Sequence, residues 1–347
     1  MKTDPSLLDL MMSDHQKADP LWQATAYWQD IAIPLADYFS KEHNAVNFRR
    51  APIRTGIRSV MPDNPGRFPH LSKRGERAVY ILRKLPLFGR LFENYEALQR
   101  QLVDEHTSTF RHSLILSYLL LKEKHEEKNV LEDSLVGNPD DYIQIQNRFY
   151  SYRSLGYQFL YGQLSRYLDF SEINSVIELG SGYGGQAEII LRKNPHIKYI
   201  AVDIPPWLYI AELYLETLFP GQVLSYRITR DIENQTSIFD LMKGKRVAIV
   251  PSWKWTHLTD TFDLFWNAKS LQEMNENAEN YLQRAMSYCR FLFLHAYSSI
   301  KKTVYQPDQL RQMVVNPGLF RQIFYDEDLY AGKNSYSMFF ERNDTRI

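Results

Sequence analysis

The chain has a single cysteine, Cys289, so no internal disulfide can form, and that residue opens an apolar run to Leu294 that reads as core. Long hydrophobic runs are also missing. The longest, Leu114 to Leu121, is interrupted by Ser117 and falls far short of the ~20 residues that a membrane-crossing helix needs. Met1 to Pro20 holds no apolar segment of signal-peptide length. These absences lead us to expect a cytoplasmic protein with no membrane span. Net charge is absent too: 41 Lys and Arg balance 41 Asp and Glu, so bulk charge selects no partner. Metal-ligand spacing is missing. The nine His form no i, i+3 or i, i+4 pair, His106 and His112 lie six apart, and there is no Cys cluster. Asp231, Glu233 and Asp263 could offer hard-ion ligands, but nothing in their spacing demands it, and no metal is expected. There are no internal repeats or low-complexity tracts.

What is present divides into two unlike parts. At 347 residues, 44% hydrophobic and 24% charged, the chain can bury an ample core. Residues 1–20 are polar and are expected to be loosely held. Leu21 to His43 fits a helix broken at Pro34, and 47–69 reads as an ordered arm rich in Pro, Gly and Arg. Between Arg49 and Arg90 eleven Lys or Arg face only Asp63 and Glu76, which could attract phosphate. Helices are expected at 74–85 and 95–128. The polar bridge 129–141, with Gly137-Asn138-Pro139, suggests a boundary between a helical region, 1–141, and a second domain, 142–347.

In the second domain a long aromatic helix is expected over 142–168. Strands and helices then alternate, the pattern of a parallel sheet with crossover helices. Strands are expected at 175–179, 198–203, 246–251 (with 222–228 competing), 262–267 and 291–295. Helices fall at 207–218 and 278–288, and 320–325 pairs with 336–341 to close the sheet. In such sheets ligands bind beyond the C-terminal strand ends.

The most informative stretch is Val176-Ile177-Glu178-Leu179-Gly180-Ser181-Gly182-Tyr183-Gly184-Gly185. A buried strand runs into a turn whose backbone lacks Cβ atoms, so its N–H groups and the following helix N-terminus can approach a polar ligand. The next strand ends on Asp203, where an acid can bind ribose hydroxyls. This is a cofactor site. Gly180, Gly182 and Gly185 also satisfy G-x-G-x-x-G, so a dinucleotide remains open on spacing alone. Two features favour S-adenosylmethionine: the acid Glu178 before the first glycine, and the turn's place past the midpoint of the chain.

With Glu178, Gly180, Gly182 and Gly184 the turn resembles the first motif of class I methyltransferases, E/D-x-G-x-G-x-G. Phe262 to Asn267, followed by Ser270-Leu271-Gln272-Glu273-Met274, resembles the fourth strand and following turn of a sugar O-methyltransferase family. Asn47-Phe48-Arg49 is similar to another segment of that family. The resemblance implies a class I methyltransferase (Rossmann-like) fold, a seven-stranded mainly parallel sheet with helices on both faces, behind a helical N-terminal region. It implies methyl transfer from S-adenosylmethionine to an oxygen of a sugar, glycan or glycosylated small molecule, with homo-oligomerisation possible. Rival readings are a nucleic-acid methyltransferase using the 49–90 arm, a nicotinamide-dependent oxidoreductase, and an inactive binding protein of the same fold.

In the methyltransferase reading Gly180, Ser181, Gly182 and Gly184 cradle the methionine end and Glu178 orients the turn or the amino group. Asp203 holds the ribose, Ile204 packs on adenine, and Ser252 hydrogen-bonds the base. Trp253 and Trp255 offer faces for cofactor or sugar. Asn267 points toward the pocket from its strand end, and Gln272 follows on the turn. A hydroxyl becomes a good nucleophile only as its proton is drawn off. Glu273 is the first candidate base, His295 the second and His257 the third.

Overall fold

The computed structural model describes residues 1–51, 118, 122, 130–145, 147–274, 277–298, 304–327 and 335–343. The helices expected at 74–85 and 95–128, and the arm beyond residue 51, lie outside the described residues, apart from the isolated positions 118 and 122.

The polar N-terminus is an ordered helix, α1 (Pro5–Lys17), which corrects the expectation of a loose tail. Pro5 occupies its first turn, and the Asp4 side chain accepts the Leu7 N–H at 3.1 Å. Leu7, Leu8, Met11 and His15 form one buried stripe. A bidentate Arg230–Asp14 pair, at 2.6 and 2.8 Å, ties down the helix beside that stripe. After a single turn, Pro20–Trp22, helix α2 (Ala26–Ser40) runs through Pro34 without breaking there. A short α3 (Glu42–Val46) follows.

Residues 142–151 are not helix. They form an antiparallel hairpin of β1 (Tyr142–Ile145) and β2 (Arg148–Ser151), turning at Asn147 with φ 64°. Exposed and buried residues alternate along β1, so the period is two and the aromatic content alone misleads. Ser151 then caps α4 (Tyr152–Leu164) by accepting the Ser154 N–H.

The rest is one eight-stranded sheet with crossing helices. Its chain order is β3 (Ser175–Leu179), α5 (Gly185–Lys193), β4 (Lys198–Asp203), α6 (Trp207–Leu218), β5 (Val223–Leu224), α7 (Tyr226–Thr229), α8 (Ile238–Met242), β6 (Val247–Pro251), β7 (Phe262–Ala268), α9 (Asn277–Tyr288), β8 (Cys289–Tyr297), α10 (Pro307–Val315), β9 (Phe320–Glu327) and β10 (Ser335–Arg342). In space the strands run β5-β6-β4-β3-β7-β8-β10-β9. All pair in parallel except β10, which is antiparallel to both neighbours. The eighth strand, one more than expected, is β5. Its two residues fall in the segment that competed with β6, and they add an edge beside it.

Alternation along each strand feeds two cores. Val176, Tyr199, Ile249, Trp266 and Phe293 pack with α4, α5 and α6 on one face. Ile177, Ile200, Val250, Phe265 and Leu292 pack with α8, α9 and α10 on the other. Burial on both faces explains why these strands read as unbroken apolar runs. The chain starts the parallel array at β3, moves outward to β6, then returns to β7 on the other side of β3. That reversal opens a crevice beyond the C-terminal ends of β3 and β7.

Residues 130–141 pack onto α4: Gln158 receives the Leu131 N–H and donates to its carbonyl, at 2.6 and 2.9 Å. Arg49 makes a buried bidentate pair with Asp133, at 2.6 and 2.7 Å, and also donates to Ser151. Burial works against the Asp133 charge, but Arg49 and Ser151 hold its pKa below the usual carboxylate value.

Candidate active site

At the crevice lies a cavity of about 360 Å3, lined from the glycine turn, the ends of β4, β7 and β8, the starts of α4 and α9, and the segment joining α1 to α2. The turn is held by its own backbone. Gly180 N–H donates to the Val202 carbonyl at 2.8 Å, and Gly184 N–H to Ser181 O at 2.9 Å. Gly180 has φ 77°, and a Cβ there would meet Ser270 Oγ at 2.2 Å. Gly182 has φ 56°, yet a Cβ there would meet nothing within 4 Å. One glycine is needed for close packing, while the other borders open space.

Asp203 faces this turn. Its Oδ2 accepts the Gly182 N–H at 2.6 Å and its Oδ1 accepts the Ile204 N–H at 2.7 Å. Burial raises its pKa to about 7 despite those two donors. Glu178 is 3% exposed; burial raises it to about 8, although the Tyr199 hydroxyl donates to Oε2 at 2.7 Å, and the Asp203 charge adds to the rise. Two buried carboxyls with raised pKa values in one cavity mark it as a candidate functional site. Ser181 Oγ is buried without a hydrogen-bond partner among the described residues, as is Thr25 Oγ1, and both residues line the cavity. Buried hydroxyls are normally satisfied, so these two fit a polar ligand in the cavity.

Glu273 lines the cavity beside Tyr297, whose hydroxyl donates to Oε1 at 2.5 Å. His295 lines it too, with Nδ1 2.9 Å from Ser337 Oγ; burial, then the Lys269 charge, drives its pKa well below the ordinary value and keeps the ring neutral. Ile204 and Ser252 are also in the lining, and Ser252 Oγ donates to the Trp22 carbonyl at 3.1 Å.

Other residues singled out in the sequence stand back from the cavity lining. Gly184 is the left-handed cap of α5, packed on Leu215. Asn267 Nδ2 donates to the Leu179 carbonyl at 2.8 Å, tying the ends of β3 and β7 together. Gln272 accepts the Tyr297 N–H at 2.8 Å and so holds the end of β8. Trp253 stacks on His15, and Trp255 is core against Phe265 and Tyr281, so neither ring offers a face to the cavity. His257 Nδ1 lies 3.1 Å from the Ile232 carbonyl. Asp263 sits at the start of β7, the far end of the sheet, accepting the Asn174 and Ser175 N–H groups. Among the described residues no group of three or more His, Cys, Asp and Glu could hold a metal ion, and no described helix is long and apolar enough to cross a membrane.

Sequence reasoning missed Trp22, Thr25 and Trp28, far away in the chain, and Tyr152, Tyr157 and Tyr297. Only Tyr297 carried a signal, since it follows His295 on the strand already expected to end at the site.

No protein-family model matches the chain, and the comparison with curated proteins found no match. Among solved structures it is similar to the mitomycin 7-O-methyltransferase MmcR, at 13% identity and TM-score 0.40 over 82% of this chain and 74% of that one. It is similar to the magnesium protoporphyrin IX methyltransferase ChlM of Synechocystis, at 10% identity and TM-score 0.41 over 55% and 84% of the two chains. A third likeness is to an S-adenosylmethionine-dependent methyltransferase of Clostridium acetobutylicum, at 11% identity and TM-score 0.39 over 56% and 93%.

Proposed function

We propose that the protein is an S-adenosylmethionine-dependent O-methyltransferase acting on a sugar or glycosylated small molecule. The observation that carries this reading is the convergence of the glycine turn, Asp203 and the Glu273–Tyr297 pair on one cavity. When bound, S-adenosylmethionine supplies a methyl group activated by a positive sulfonium. Glu178, the turn from Gly180 to Gly182, and Asp203 would hold it, the carboxylates complementing its positive charges and Asp203 accepting from the ribose hydroxyls. Ser181 Oγ gains a partner.

The acceptor end is the side of Lys269, Glu273, Asn277 and Tyr297, whose polar side chains suit a polyhydroxylated molecule. Glu273 takes the proton of the acceptor hydroxyl at its carboxylate. Tyr297, donating to Oε1, fixes that carboxylate's orientation. Neutral His295 orients the hydroxyl. Holding the reacting atoms about 3 Å apart accounts for much of the acceleration.

Calorimetry with S-adenosylhomocysteine and with NADH tests the cofactor, and we expect binding of the first alone. Transfer of isotopic methyl to a panel of sugars tests the acceptor. NADH binding without S-adenosylhomocysteine binding would replace the reading with a nicotinamide enzyme.

A further inference from the structure

The segment joining α1 to α2 forms a wall of the cavity through Trp22, Thr25 and Trp28, although it lies more than 150 positions before the glycine turn. Its location is specific. The Trp22 carbonyl accepts from Ser252, which follows β6, and β6 pairs with β4 so that Pro251 lies opposite Asp203. The Trp22 ring meets Tyr281 edge-on at 4.8 Å, and the Trp28 ring meets Trp207 edge-on at 5.0 Å. The Ser252 and Trp207 contacts anchor the segment beside Asp203, and Tyr281 of α9, on which Trp22 packs, itself reaches Ser252 and Asp203.

It is also a built wall. Ala24 N–H donates to His15 Nε2 at 3.3 Å, Gln23 Nε2 to the Ala18 carbonyl at 2.6 Å, and Gln29 Nε2 to the Ala24 carbonyl at 2.9 Å. Three bonds hold the backbone around Thr25, while Thr25 Oγ1 is sealed from solvent without a hydrogen-bond partner among the described residues. The scaffold holds the hydroxyl in place on a residue of the cavity lining.

We infer that residues 22–28 are a nucleoside clamp: Thr25 Oγ1 hydrogen-bonds the adenosine part of the cofactor, and Trp22 covers its base. The inference rests on the proposed cofactor and extends it, making the first helical segment part of the cofactor site. Thr25→Val keeps the shape and removes the hydroxyl. Losing one hydrogen bond weakens binding by about 2- to 12-fold, and losing a covering ring in Trp22→Ala by about fivefold or more.

The experiment is a calorimetric titration of the full chain and both variants with S-adenosylhomocysteine and with adenosine, alongside thermal unfolding without ligand. Thr25→Val should lose affinity for both ligands by the same factor while its unliganded melting temperature stays level or rises, because removing an unsatisfied hydroxyl relieves its desolvation. A purely structural residue would lower the melting temperature instead. Unchanged affinity in Thr25→Val overturns the clamp and leaves the cofactor reading intact, even if Trp22→Ala fails to fold. Weaker S-adenosylhomocysteine binding with unchanged adenosine binding overturns the nucleoside assignment. Failure of the unmodified chain to bind S-adenosylhomocysteine overturns the cofactor reading, and the clamp with it.

Discussion

Cofactor affinity should depend steeply on pH, with a sign set by two carboxyls. Glu178 and Asp203 are raised to about 8 and about 7 by burial, so at pH 6 both are largely protonated before any ligand arrives. A sulfonium and an ammonium favour their ionised forms, so binding releases protons. If Glu178 alone must ionise, raising the pH from 6 to 8 tightens binding about 50-fold; if Asp203 alone, about 10-fold; if both, about 500-fold. Calorimetry at several pH values, in two buffers of different ionisation enthalpy, gives both the slope and the number of protons released. Without ligand the sign reverses for stability. The native state holds these protons at pH values where the unfolded chain has lost them. The stabilisation is therefore fully present below the unfolded values near 4 and is lost as pH rises through 7 and 8. The unliganded melting temperature should fall over that window, and S-adenosylmethionine should flatten the fall. Affinity that is level from pH 6 to 8, with no buffer dependence of the heat, would refute the reasoning.

The two turn glycines should separate stability from binding. Gly180→Ala forces Ser270 from its bond to the Leu179 carbonyl and should lower the melting temperature, whereas Gly182→Ala costs only its left-handed backbone, about 1–2 kcal/mol, and should chiefly weaken S-adenosylhomocysteine binding. Glu273→Gln should cut methyl transfer by about 10²- to 10⁴-fold at nearly unchanged cofactor affinity, and Tyr297→Phe should cut it less, both read from initial rates on any accepted sugar. Arg49→Ala leaves the Asp133 charge buried without its cation and should cost about 3–5 kcal/mol in urea unfolding.

Much of the α/β half was legible because local and global preferences agree there. The β3 strand, the turn, and the start of α6 behind Pro205-Pro206 were placed to the residue. Asp203 was found through its place at a strand end. The misses have physical causes. Tyr142 to Ser151 is rich in aromatics, which suit helix and strand alike, and the two-residue alternation was overridden by the helical pattern that follows. The α1 stripe of Leu7, Leu8, Met11 and His15 was present but diluted by polar neighbours. Trp253 and Trp255 show the opposite failure: adjacency to a strand end does not say which way a ring turns, and here both turn into packing. The aromatic wall at 22–28 was beyond reach, because proximity between residues 22 and 281 exists only once the chain has folded.

The Arg49–Asp133 pair carries one more consequence. It pins together two points 84 positions apart, and the Arg49 N–H bond to the Gly137 carbonyl, at 3.0 Å, reinforces the knot. Arg49 also donates to Ser151, the residue that caps α4 through the Ser154 N–H, and α4 supplies Tyr152 and Tyr157 to the cavity wall. A change at this one guanidinium is therefore transmitted to the first turn of a cavity-lining helix, although Arg49 itself is not part of that lining.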